Sequence, residues 1–138
     1  MESREEALLE EYYKTLHIEA LTMSDMVREE ILPACIGYEK DLADAVKMKK
    51  EAGVSGGMEA GLLGRISALI EELYNQCSVL DKAVADAPKG DSRETVNYYH
   101  DVILAAMDKV RTAADQLETL VGKKYWPFPT YSDILFYV

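Results

Sequence analysis

A chain of 138 residues suits one domain and is long enough to bury a core without disulfides or metals. Hydrophobic residues make up 49% and charged residues 29%, the balance of a globular fold rather than a disordered segment. A net charge of −10 repels phosphate backbones and anionic bilayers, so neither nucleic acid nor a membrane surface is an expected partner.

Ser3-Arg4-Glu5-Glu6 has capping-box spacing and predicts a short first helix over 4–14, with Ala7, Leu8, Leu9, Tyr12 and Tyr13 as its apolar residues. A kink or break is expected around Thr15-Leu16-His17. A long helix is predicted over 18–52, with Leu21, Val27, Ile31, Cys35, Tyr38, Leu42, Ala45 and Val46 sharing one broad face. Pro33 lies inside it. Lacking an N–H and crowding the carbonyl four residues back, it predicts a kink or break near Glu29–Leu32. Gly53-Val54-Ser55-Gly56-Gly57 ends the helix in a flexible turn.

The next helix is predicted over 58–87, where Leu62, Ile66, Leu69, Leu73, Leu80, Val84 and Ala87 recur in steps of three and four, with Cys77 or Gln76 completing the stripe. Pro88-Lys89-Gly90 stops it. Asp91 or Ser92 is the expected cap of a helix over 92–122, with Glu94 in its first turn. Val96, Tyr99, Ile103, Ala106, Val110, Ala113, Leu117 and Leu120 form its stripe, and Gly122 closes it. Short turns force neighbouring helices antiparallel. The expected fold is all-α: a single domain over 1–138, an up-down-up antiparallel bundle of three long helices with a short N-terminal helix and a non-helical tail over 123–138.

That tail has its own texture. Residues 126–138 hold the only Trp, both Phe and two of the four prolines. Large aromatic surfaces are not left in water. The segment is therefore expected to dock, through Trp126, Phe128, Tyr131, Leu135 and Phe136, onto its own helices, a further part of the same protein or another subunit. Charge is uneven as well: residues 1–52 hold 13 acids and 7 bases, a net of −6, against −2 for each of 53–90 and 91–138. The N-terminal third is either the most solvated stretch or faces a basic partner.

No constellation for chemistry is legible. A di-iron or di-manganese bundle site needs Glu-x-x-His on facing helices, whereas Lys14 and Asn97 stand three residues before His17 and His100. Two dispersed cysteines without clustered His make no zinc site, and Cys35 and Cys77 read as reduced, buried thiols. Gly53, Gly56, Gly57, Gly61 and Gly64 lack both a following Lys-Ser/Thr and a preceding strand, so a loose turn and close helix packing are expected rather than phosphate binding. His100 falls on a polar helix face and His17 at the helix junction. Catalytic, cofactor-binding and metal-ligating residues are all expected to be absent. The charged start lacks the apolar core of a signal peptide, and no run approaches the ~18 apolar residues of a membrane span, so a cytoplasmic location is expected. One reading of these features is a stand-alone acidic helical interaction module with an aromatic docking tail.

Three blocks carry a further reading. The first is His17-Ile18-Glu19-Ala20-Leu21-Thr22-Met23, running on to Asp25-Met26 and Ile31-Leu32-Pro33-Ala34. The second is Tyr98-Tyr99-His100-Asp101-Val102, followed by Ala106-Met107. The third is Trp126-Pro127-Phe128-Pro129-Thr130-Tyr131, closing with Asp133-Ile134-Leu135-Phe136. In this order, over roughly residues 8–138, they resemble the C-terminal helical region of type III glutamine synthetases. The resemblance implies a ligase of glutamine biosynthesis and nitrogen metabolism, which joins ammonia to glutamate using ATP and a divalent metal, Mg or Mn. It also implies large oligomers of stacked rings, with catalytic sites built upstream in β-grasp and α/β regions. On that reading Met1 marks a cut at a domain boundary, and the chain is a C-terminal accessory domain, inactive alone. Its partners would be the catalytic region of the same polypeptide and neighbouring subunits of a homo-oligomer. No catalytic residue carries across, because no position here matches a catalytic motif; ATP and metal belong to the parent enzyme.

Overall fold

The computed structural model describes residues 2–90 and 92–128. Among the described residues every regular element is helical: α1 (Glu2–Met26), α2 (Leu32–Glu51), α3 (Gly57–Ala85), α4 (Arg93–Tyr98) and α5 (Leu104–Leu120). π-helical stretches over Val27–Ile31 and Tyr99–Ile103 join α1 to α2 and α4 to α5 without interruption. The described chain therefore makes three rods, 2–51, 57–85 and 93–120, about 75, 44 and 42 Å long at the helical rise of 1.5 Å per residue.

The break expected at Thr15–His17 does not occur, so the short helix over 4–14 and the long helix over 18–52 are one rod. The Thr15 hydroxyl folds back onto the Glu11 carbonyl at 2.9 Å, an arrangement that leaves the helix intact. Leu16 and Ala20 are both buried, residues that a junction would have set apart from the core. Leu21, expected on the inner face, is 47% exposed instead.

Pro33 does disturb the helix where expected. Ahead of it the turn widens, and the Leu32 N–H reaches the Val27 carbonyl five residues back. A wider turn lets the helix pass a residue that brings a ring and no donor. The second π stretch has no proline beside it. There the Leu104 N–H bonds the Tyr99 carbonyl, again five residues back.

Side-chain pairs show the register. Arg28 meets Asp81 and Lys49 meets Glu59, so climbing 21 residues on the first rod descends 22 on α3: the two are antiparallel. His17 meets Tyr99 and Asp41 meets Tyr125, so the first rod and the chain from α4 onward climb together. The Tyr98 hydroxyl donates to the Ala83 carbonyl at 2.6 Å, tying the start of the third rod to the end of α3.

The core is a central block. It takes Leu16, Ala20, Val27, Ile31 and Cys35 from the first rod, Ile66, Leu73, Cys77 and Leu80 from α3, and Tyr99, Ile103, Met107, Val110, Ala113 and Leu117 from the third rod. Cys77 rather than Gln76 faces inward. No residue from 36 to 65 is buried, so the later part of α2 and the start of α3 project from the block as a two-helix arm. Its tip closes where Gly53 takes φ +73, the Val54 N–H returns to the Lys49 carbonyl at 2.9 Å, and Lys49 pairs with Glu59 across the turn. The close packing expected at Gly61 and Gly64 is absent: a Cβ on either would meet nothing within 4 Å. Ser92 is the cap of α4, accepting from the Thr95 N–H at 3.3 Å.

Candidate functional site

Two places gather side chains that packing alone does not account for. The first is a polar lock between α1 and α3. Ser24 and Arg28, one turn apart, both face Asp81. The Ser24 hydroxyl donates to one carboxylate oxygen at 2.6 Å, and Arg28 Nε donates to the other at 3.2 Å. The guanidinium also lies over the Tyr74 ring, 5.6 Å from its centre. The hydrogen bond to Asp81 holds Arg28 above its ordinary value, so its charge is secure. Ser24 Oγ lies 3.5 Å from Cys77 Sγ, and burial pushes that thiol up. Burial, with the Glu39 charge adding to it, pushes Cys35 to about 11. Neither buried thiol is a nucleophile at neutral pH. The lock has a hydroxyl and a carboxylate but no imidazole, so its geometry is that of an interhelical clasp.

The second place is the seam between the first and third rods. At its upper end Tyr99 and His17 share a hydrogen bond of 2.8 Å, and the Tyr13 ring lies 5.5 Å from that of Tyr99. Burial raises the Tyr99 phenol. His17 is thus a satisfied polar residue inside a continuous helix. His100 is exposed and bonded to Asp101 at 3.0 Å. Below them the seam opens into a hollow of about 410 Å³ between α1 and α5. At the lower end the Tyr125 ring packs on Tyr38, and its hydroxyl donates to Asp41. That bond to the charged carboxylate raises the Tyr125 phenol.

Of the residues expected in the docking tail, Trp126 and Phe128 are partly buried and pack against the core cluster. Tyr131, Leu135 and Phe136 lie outside the described residues. The clasp, the Tyr125–Asp41 bond and the seam were not legible in the sequence. Ser24 and Arg28 have helical spacing, yet nothing along the chain announces Asp81 as their partner. Among the described residues no three His, Cys, Asp or Glu are grouped to hold a metal ion, and no helix is long and apolar enough to cross a membrane.

The family model of the glutamine synthetase C-terminal domain matches residues 1–50. Over 97% of its length the chain is 38% identical to a glutamine synthetase of Butyrivibrio fibrisolvens. Over 99% it is 31% identical to the type-3 glutamine synthetase of Dictyostelium discoideum, and over 96% it is 25% identical to a glutamine synthetase of Bacteroides fragilis. The chain covers 20%, 20% and 19% of these three relatives, about a fifth of their length. No solved structure matches it.

Proposed function

Since the chain belongs to the glutamine synthetase C-terminal domain family, we propose that it serves a type-3 enzyme as an accessory domain that supports assembly and packing and carries no catalysis itself. One observation carries this reading: similarity runs along almost the whole chain yet spans only a fifth of the relatives. The ligation of ammonia to glutamate, with its ATP and divalent metal, then belongs to the remaining four fifths, in the cytoplasm. The partners are that catalytic region and neighbouring subunits of a homo-oligomer. The clasped helices favour a rigid support, and Ile18, Leu21 and Met26 offer exposed apolar surface for packing.

Purified 138-residue chain given glutamate, ammonia, ATP and magnesium should form no glutamine; measurable turnover would remove the reading. Deleting this segment from a full-length relative should break its oligomer, read by sedimentation. An immunoblot of source-cell extract should show a band several times heavier than 15.5 kDa. A band at 15.5 kDa would favour the stand-alone interaction module instead.

A further inference from the structure

The hollow in the seam takes its walls from the first and third rods; among the described residues no side chain of α3 lines it. Two parallel rods packed on a common third leave the fourth position of a helix bundle open. Ile18, Met23, Met26, Val27, Met107 and Val110 make the hollow apolar, and Ile18 and Met26 are exposed. Three of the six methionines of the chain thus share one surface, and methionine is an unbranched side chain that adapts to what packs on it. Along the first rod the hollow runs from Ile18 to Ile31, thirteen residues or about 20 Å, the length of three to four turns of a helix laid alongside. Its volume of about 410 Å³ holds the side chains of one helix face rather than a whole helix.

The margin is acidic. Glu19 is on the lining, Glu30 stands four residues beyond Met26, and Glu118 stands four beyond Ala114, so each shares a helix face with the hollow. Glu19 and Glu30 are exposed and Glu118 is half-buried, and none of the three enters an ion pair with the described residues. Arg111, the cation of the lining, faces Asp108 at 3.7 Å. We propose that the hollow seats an amphipathic helix from outside this chain, with its apolar face inward and Lys or Arg along its margins against Glu19, Glu30 and Glu118. Like charge disfavours a second copy there, because the chain carries −10 and a two-fold contact would set these carboxylates against their own kind. The seat is a property of this surface and does not rest on the ligase assignment.

The methionine methyls supply the test. Isotope-labelled Met in the 138-residue chain gives three reporters in the hollow, Met23, Met26 and Met107, and two exposed on the arm, Met48 and Met58. The probe is a synthetic helical peptide with Leu along one face and Lys on both margins; a second peptide carries Glu in place of every Lys. The Lys peptide should move the three hollow methyls to saturation and leave Met48 and Met58 in place. The Glu peptide should bind at least about tenfold more weakly, the ion pairs at the margin being lost. Glu19→Gln, Glu30→Gln and Glu118→Gln combined should remove that preference while the helical circular dichroism stays unaltered. No saturable shift, equal shifts at Met48 and Met58, or equal affinity for the two peptides overturns the proposal. Shifts of the hollow methyls on concentrating the chain without peptide overturn it too, and place a second copy in the hollow.

Discussion

Ser24 points a hydroxyl into the packed face between α1 and α3, where it is 7% exposed, and Asp81 supplies the acceptor. Asp81→Ala should cost about 1–3 kcal/mol in urea unfolding, because it strands a buried donor. The Arg28 pair adds little, since both side chains are more than a third exposed, at 37% and 39%. Ser24→Ala should cost less than Asp81→Ala, because Asp81 keeps Arg28 and water. Cys35 carries a signature in pH. Its folded value of about 11 stands above the ordinary 9.0, so the folded state holds the proton more tightly. The stability this contributes is full below pH 9 and declines as pH rises towards 11. Cys35→Ala should flatten that part of the alkaline decline relative to the parent chain, measured by urea unfolding at intervals across the window. The thiol itself should resist alkylation in the native state and react once the chain is unfolded.

Among the helices, periodicity was a good guide where a stripe is long. Ile66, Leu73, Cys77 and Leu80 on α3, and Ile103, Val110 and Leu117 on the third rod, were legible because apolar side chains at steps of three and four leave one face. The boundary at Thr15–His17 misled because the weak helix formers Thr15 and His17 are overruled by the burial of Leu16 between them and of Ala20 one turn on. The Tyr99–Ile103 π-turn was illegible for a different reason: a shift from four-residue to five-residue hydrogen bonds changes no residue type. The glycines offer a direct check of packing. Gly37, Gly61 and Gly64 lie within helices with open space where a Cβ would stand. Alanine at each should stabilise the isolated chain by about 0.5–1 kcal/mol through helix propensity, seen as a rise in Tm. A loss of stability at Gly61 or Gly64 would mean that another surface approaches them.

Taken whole, the molecule is a staggered stack. The first rod, about 75 Å long, outruns its two partners of about 44 and 42 Å, so the three overlap only around the central core. Such stagger follows from register, and register is read from Arg28–Asp81, Lys49–Glu59 and His17–Tyr99, pairs separated by ten to eighty-two residues in sequence. A linear reading gives each helix face but not the offset between faces, which is why the seam was hidden while the stripe of each helix was plain. The arm over residues 36–65, which holds no buried residue, has a consequence in time rather than in space. Its amides should exchange with solvent deuterium through local openings, while those around Ile103–Leu117 should wait for the whole chain to unfold. Uniform protection across both would show that the arm opens only with the core. Two clocks in one small chain would let the projecting hairpin remodel against a neighbour while the central block keeps its shape.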